Sequence, residues 1–180
     1  FLLVALDQII NQAANVRYVT GGRCNASLVV RTQQGVTPGS CAQHSQSLEA
    51  LLFHIPGIKI GLPATAQDAY DMLRAAVADP DPVVIVEARS LYQTIGRVDF
   101  DRESPALGGA AVRREGRDAV IITWGTTVPL ALQAAERLGE EGVAVEVLDL
   151  RWLAPLDDEA IDESVQRCSG RILVLHEANV

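Results

Sequence analysis

Short apolar runs alternate with segments of helical periodicity along this chain, and that alternation limits the folds open to it. The run Val83-Val-Ile-Val86 has the β-branched composition of a strand buried on both faces. The segment that begins at Thr65 spaces its apolar residues as a helix does and stops at Asp79-Pro-Asp-Pro82. Strands that alternate with helices are joined by right-handed crossovers into parallel sheets. We predict strands at 27–31, 58–60, 83–86, 119–124, 142–148 and 171–175, and helices at 2–15, 45–54, 65–78, 128–138 and 157–168.

The same pattern divides the chain into two units. Residues 93–110 combine glycines and a proline with scattered charges, which is typical of a linker. We therefore predict an α/β protein with two doubly wound, mostly parallel sheets, in domains at 1–92 and 111–180 that this linker joins. The chain starts with Phe1 inside an apolar helical pattern and stops at Val180, shortly after a strand-like run. We expect both ends to be cut from a longer protein.

Composition argues against several classes of function. The 180 residues carry a net charge of -8, and a chain this acidic is not expected to offer a basic patch to nucleic acid. No apolar stretch approaches the roughly 20 residues that a membrane span needs. The three cysteines, Cys24, Cys41 and Cys168, match neither a disulfide framework nor a zinc pattern. We expect a protein of the bacterial cytoplasm that binds neither nucleic acid nor a membrane.

The loop at 31–43 delivers a histidine to the start of a predicted helix. It contains Gly35, Pro38 and Gly39 and leads to His44. In α/β proteins, a mobile loop in front of a rigid strand commonly carries a reactive side chain. Imidazole can give and take a proton near neutral pH, which suits it to acid–base work. The same residues would also make a helix-capping or surface histidine, and without further motifs that plainer interpretation is preferred.

Motifs in both units resemble those of one family. They are Ala42-Gln-His-Ser-Gln46, Asp79-Pro-Asp-Pro-Val83, Val147-Leu-Asp-Leu-Arg151 and His176-Glu177. In order and spacing they resemble the β subunit of thiamine-diphosphate-dependent 2-oxo acid dehydrogenases, the E1 β subunit of pyruvate, branched-chain and acetoin enzymes. The resemblance covers essentially the whole chain. It implies the C-terminal part of a transketolase-like pyrimidine-binding domain, followed by most of a transketolase C-terminal domain.

The resemblance also implies an activity, cofactors and partners. In this family two E1 α subunits and two β subunits assemble as an α2β2 enzyme, with thiamine diphosphate and Mg²⁺ at the α/β interface. The enzyme decarboxylates a 2-oxo acid and passes the acyl group to a lipoyl group on a partner E2 protein. Two rival interpretations stay open. One is a transketolase or deoxyxylulose-phosphate synthase relative, and the other is a non-catalytic fragment that associates with itself.

The resemblance assigns roles to particular side chains. His44 falls on the family's active-site histidine, whose implied role is to donate a proton or a hydrogen bond to the bound intermediate. His54 and His176 match no catalytic role, so we expect them to be structural. Arg151 is expected to make a contact between subunits, and Trp124 to lie in the core or at an interface.

A monovalent cation site is implied as well. In the family a cation, usually K⁺, is held by backbone carbonyls and carboxylates. Carried over, its ligands are the carbonyls of Leu28, Ala76 and Val77 with Asp79 and Asp81. Hard oxygen ligands suit such an ion. The alternative is that the two aspartates serve only the turn that stops the helix.

The family's cofactor-activating residues have no counterpart in this sequence. A glutamate that bonds the aminopyrimidine ring and an aromatic residue that packs on it would both precede Phe1. We therefore predict no thiamine-binding residue within the chain, and we expect the isolated chain to be inactive even with thiamine diphosphate and Mg²⁺.

Overall fold

The computed structural model describes residues 2–103 and 106–178, and its strands form two four-stranded sheets. The strands are β1 Val29–Gln34, β2 Lys59–Gly61, β3 Val83–Ala88, β4 Ala111–Arg114, β5 Ala119–Thr123, β6 Val145–Asp149, β7 Trp152–Ala154 and β8 Ile172–Leu175. The α-helices are α1 Val16–Val19, α2 Glu49–Phe53, α3 Ala66–Ala78, α4 Val128–Glu140 and α5 Asp158–Arg167.

Both sheets are mixed and mostly parallel, as predicted. In the first, with order β1-β3-β2-β7, strands β1 and β2 run parallel to β3 and only β7 is antiparallel. In the second, with order β4-β6-β5-β8, β5 runs parallel to β6 and β8 while β4 is antiparallel. Strand β7 comes from the second half of the sequence but completes the first sheet, so the two halves share one sheet.

Local sequence explains where the best-defined helix begins and ends. Thr65 caps α3 through its side-chain oxygen, which accepts from the Asp68 backbone N–H, while the Asp68 carboxylate accepts from the Thr65 backbone N–H. This reciprocal pair is a capping box. At the other end Asp79 has extended backbone and Pro80 cannot continue the helix. The predicted helix at 65–78 is therefore confirmed to within one residue.

The first and second helical predictions differ from the structure in ways that matter for the loop of His44. The predicted helix at 2–15 is a 3₁₀ turn at Leu2–Ala5, a π-helix at Gln8–Ala13 and the short α1. The predicted helix at 45–54 is only α2, and its first residue follows Leu48. Ser45 does not cap it, because the Ser45 hydroxyl donates to the Cys41 carbonyl over 2.7 Å.

One apolar cluster joins the two sheets. It packs side chains of the first sheet, such as Ile60 and Val84, with side chains of the second, such as Val120 and Leu148, and all four are completely buried. Burial on this scale fixes the halves of the chain against each other. Side chains of the second half can therefore hold a loop of the first half in place.

Buried charges cross the same boundary. Arg113, in β4, donates from Nη2 to the Asp68 carboxylate at the start of α3 and, over 2.8 Å, to Asp149 Oδ2 at the end of β6. Arg151 donates from Nε to the Gly109 carbonyl over 3.0 Å, and its Nη1 lies 3.9 Å from Asp68 Oδ1. Arg151 thus makes contacts within the chain, and its expected contact with another subunit stays a prediction.

No helix in the described part of the chain is both long enough and apolar enough to cross a membrane.

Candidate functional site

The segment from Gly35 to Leu48, which we call the His44 loop, leaves the carboxyl end of β1 and returns to it. At its neck the Gly35 backbone N–H donates to the Gln46 carbonyl over 3.3 Å, and the Leu48 N–H donates to Gln34 Oε1 over 3.3 Å. His44 ends a 3₁₀ turn, Ala42–His44, and its side chain is exposed. The loop is thus closed at its base and presents the imidazole outward.

His44 lines a cavity of about 390 Å³ at the carboxyl ends of the parallel strands β1 and β3. This edge of a parallel sheet is where α/β proteins place their ligands. Polar and apolar side chains both line the cavity, and the polar ones besides His44 are Arg31, Thr32, Gln33, Gln34, Gln43, Gln46 and Arg89. Two guanidinium groups and several amides give the cavity donors for an anionic or carbonyl oxygen.

Arg89 ties the strand end to the His44 loop. Its Nη1 donates to Ser40 Oγ over 3.1 Å, while Nε and Nη2 donate to Gln33 Oε1 over 3.2 and 3.1 Å. Ser40 is buried and also shares a short hydrogen bond with Thr37. The middle of the loop is therefore fixed to the first sheet by one arginine that the sequence alone did not single out.

A row of three hydrogen-bonded side chains, Arg31, Glu87 and Tyr92, borders the cavity. Arg31 Nε donates to Glu87 Oε1 over 2.6 Å, and the Tyr92 hydroxyl donates to Glu87 Oε2 over 2.6 Å. The hydrogen bond and charge of Glu87 raise the pKa of Arg31, which therefore stays a cation. Burial, with the hydrogen bond to Glu87, raises the pKa of Tyr92, so that phenol stays protonated. On the far side of this row lies a second cavity of about 510 Å³.

The end of β8 reaches the His44 loop from the other half of the chain. Glu177 Oε1 accepts a hydrogen bond from the Val36 backbone N–H over 3.0 Å. His176 stacks on Trp124, with ring centroids 5.0 Å apart, and Trp124 Nε1 donates to Glu49 Oε1 over 3.3 Å. The structural role expected for His176 and the packing role expected for Trp124 agree with these contacts.

The predicted cation ligands meet near the carboxyl end of α3, but side-chain cations already neutralise the two carboxylates. Lys59 Nζ lies 2.6 Å from both Asp79 oxygens and 3.7 Å from Asp81 Oδ2. Arg17 Nε donates to Asp81 Oδ1 over 2.6 Å. Oxygen atoms of this kind can bind K⁺, but Lys59 and Arg17 already balance the negative charge of Asp79 and Asp81. The potassium site stays a prediction.

The carbonyls proposed for that site have backbone partners of their own. The Leu28 carbonyl accepts from the Val83 N–H over 2.9 Å, and the Ala76 carbonyl accepts from the Asp79 N–H over 3.3 Å. Ala76 and Val77 stand in the last turn of α3. The described residues include no group of three or more His, Cys, Asp and Glu side chains placed to hold a metal ion such as Mg²⁺.

Two domain families match the chain. The family described as "Transketolase, pyrimidine binding domain" matches residues 1–94, and that described as "Transketolase, C-terminal domain" matches residues 108–180. The chain belongs to the family of proteins that join these two domains. A solved structure described as "Split gene transketolase, inactive beta4 tetramer" has the same fold, with a TM-score of 0.73 and 24% identity over 97% of this chain and 55% of that one.

Curated relatives narrow the comparison to one class of protein. The chain is 42% identical to the 2-oxoisovalerate dehydrogenase subunit beta of Bacillus subtilis, over 98% of its own length and 54% of the relative's. It is 41% identical to the acetoin:2,6-dichlorophenolindophenol oxidoreductase subunit beta of Cupriavidus necator, over 99% and 53%. The pyruvate dehydrogenase E1 component subunit beta of Rhizobium meliloti is 39% identical, over 98% and 38%. The recognition of an E1 β sequence is confirmed, and the chain spans about half or less of the length of these relatives.

Proposed function

We propose that this chain is the part of an E1 β subunit that carries the active-site histidine of a 2-oxo acid dehydrogenase. One observation supports this most directly: His44 is exposed on a closed loop and lines a cavity with other polar side chains at the carboxyl edge of a parallel sheet. The parent α2β2 enzyme would decarboxylate a 2-oxo acid and transfer the acyl group to a lipoyl group on E2. The three relatives act on different compounds by name, so the side chain of the 2-oxo acid is left open.

The chain's own side chains suggest a division of work. The imidazole of His44 would donate a proton or a hydrogen bond to a reacting oxygen at the cavity mouth, a contribution of roughly 10²- to 10⁴-fold in rate. Arg31, which Glu87 orients through Nε, would donate a hydrogen bond to the carboxylate of the 2-oxo acid. Arg89 would hold the loop at Ser40 so that the imidazole stays over the cavity.

Thiamine diphosphate, when bound, supplies the carbon nucleophile and takes up the charge left when CO₂ departs. The cavity at His44 has room and donors beside such a cofactor, but no described residue of this chain is assigned to hold it. Mg²⁺ and the diphosphate would be held by the E1 α subunit, and the second β subunit would complete the assembly. The three free cysteines fit the reducing cytoplasm of a bacterium, where we place the parent enzyme.

The parent complex tests the role of His44. In an α/β complex loaded with thiamine diphosphate and Mg²⁺, His44→Ala should lower acyl transfer to a lipoyl domain by about 10²-fold or more. Cofactor binding, followed by titration, should be nearly unchanged. His54→Ala is the matched control, because His54 is also exposed but lies at the end of α2. Acyl transfer at the wild-type rate in His44→Ala would exclude the proposed role.

A second assay separates the rival enzyme classes. The same complex should accept a 2-oxo acid and a lipoyl acceptor and should not transfer a two-carbon unit between sugar phosphates. Turnover of sugar phosphates would favour the transketolase interpretation. The isolated 180-residue chain should show no turnover of a 2-oxo acid with added cofactor, and measurable turnover would contradict that expectation.

A further inference from the structure

We propose that the second half of the chain positions the His44 loop by holding it at both ends. Glu177 holds the start of the loop, and the stacked pair of Trp124 and His176 holds its end through Glu49. These are positioning residues, since they act on His44 through the loop backbone. The structural claim stands on contacts alone, and only its catalytic consequence rests on the proposed function.

The first contact fixes the point where the chain leaves β1. Glu177 Oε1 accepts from the Val36 N–H over 3.0 Å, between residues 141 positions apart in sequence. The carboxylate also lies against Gly35, where an added Cβ would come within 2.9 Å of Oε2. Gly35 has a φ of +93°, a conformation that a residue with a side chain rarely adopts. The absence of a side chain at Gly35 therefore leaves room for the Glu177 carboxylate at the base of the loop.

The second contact fixes the point where the chain enters α2. Glu49 is the first residue of that helix and only 4% exposed, so its carboxylate needs a donor. Trp124 Nε1 supplies one over 3.3 Å, and the indole is in turn stacked on His176 with the ring planes 13° apart. Glu49 Oε2 and His176 Nδ1 are both buried without a hydrogen-bond partner among the described residues. The indole N–H therefore matters to a carboxylate that has few other donors.

The two contacts complement the anchors from the first half of the chain. Arg89 holds Ser40 in the middle of the loop, and Gln34 holds Leu48 at its neck. None of these anchors comes from the second sheet. Adding Glu177 and Trp124 makes the position of His44 depend on how the two halves are packed against each other. Loosening either contact should displace the imidazole without removing it.

Hydrogen exchange in the full α/β complex tests the contacts directly. Glu177→Ala should raise amide exchange at residues 35–48 by roughly tenfold or more, the size expected for loss of one hydrogen bond to a charged group. Glu177→Gln keeps an acceptor oxygen and should restore most of the protection. Glu136→Ala, an exposed change on α4, is the matched control and should leave exchange in the loop unchanged. Unchanged exchange in Glu177→Ala would overturn the proposal, whatever the activity.

Trp124→Phe provides an independent test, because it keeps an aromatic ring on His176 and removes only the N–H to Glu49. It should raise exchange in α2 and the adjoining end of the loop, and it should lower kcat for acyl transfer with little change in KM. Equal protection of α2 in Trp124→Phe and wild type would overturn the second contact. If exchange rises in these variants while His44→Ala keeps full activity, the contacts are upheld and the proposed function fails. The two claims are therefore tested separately.

Discussion

Replacing Arg113 with methionine should destabilise the chain strongly, because Arg113 is the cation of a buried cluster. Its Nε and Nη2 donate to Asp149 Oδ2 over 3.0 and 2.8 Å, and Nη2 also donates to Asp68. The side chain of Asp149 is fully buried and that of Asp68 is 4% exposed. Methionine fills a similar volume but leaves both carboxylates without their main partner.

The size of the effect follows from removing one partner of a buried pair. Such changes cost about 3–5 kcal/mol, because an uncompensated charge stays buried. For a domain of this length each kcal/mol lowers Tm by about 2–4 °C. We therefore expect Tm to fall by about 6–20 °C. Both acidic residues contribute, so the upper half of that range is favoured.

The loss should depend on pH in a defined direction. Burial raises the pKa of Asp149 from 3.8 to about 6, even though Arg113 opposes the shift. Because the folded pKa lies above the unfolded value, this carboxyl costs stability as pH rises through about 6, by about 3 kcal/mol in total. Without Arg113, the pKa of Asp149 in the folded state rises further. The variant should therefore be closest to wild type in acid and furthest from it at neutral and higher pH.

Thermal unfolding at about pH 5 and about pH 7.5 measures both effects. Arg117→Met is the control, since Arg117 is exposed in the same segment of the chain and should shift Tm by little. A Tm for Arg113→Met equal to that of Arg117→Met would refute the argument from buried charge. A deficit as large at pH 5 as at pH 7.5 would refute the assignment of the titration to Asp149.

Three further changes test other parts of the fold. Lys59→Met removes the cation beside Asp79 and Asp81, so the variant should gain Tm in KCl over choline chloride at equal ionic strength, whereas wild type should not. Gly116→Ala should lower Tm by several degrees, because an added Cβ would come within 2.2 Å of backbone in β6. Thr65→Ala removes half of the capping box of α3 and should cost about 1 kcal/mol, measured by urea unfolding.

Each of these has an outcome that would count against it. A wild-type chain that itself gains stability in KCl would support the predicted potassium site instead of compensation by Lys59. A Tm for Gly116→Ala within one or two degrees of wild type would mean that β6 can move away at little cost. Thr65→Ser keeps the capping oxygen, so a loss equal to that of Thr65→Ala would show that the cap is not the cause.

Sequence pattern predicted the parts of the fold that depend on local order. The run at 83–86 is the first part of β3, and the helices at 65–78, 128–138 and 157–168 differ from α3, α4 and α5 by at most two residues at either end. These segments carry strong periodicity and clear stop signals. Strand β4 and the three-residue β7 were missed, because their pairing partners are distant and their own sequences are short or charged.

The sequence predicted the histidine of the candidate site but not the residues that hold its loop in place. His44 followed from the loop and from the family motif around it. The contact between Glu177 and Val36 joins residues 141 positions apart, and no spacing in the sequence signals it. Arg89 was overlooked because an arginine after a strand has no distinctive pattern, although its three hydrogen bonds hold Gln33 and Ser40.

Strand β7 has a consequence for any attempt to divide this protein. It lies along β2, where Gly61 pairs with Trp152 and a Cβ at Gly61 would come within 2.8 Å of the indole. Cutting the polypeptide between the two matched domains would remove the edge strand β7 from the N-terminal piece. The backbone N–H and C=O groups of β2 that pair with β7 would then be exposed to solvent. The two pieces should then melt at lower temperatures apart than together, and mixing them should regain a single cooperative transition.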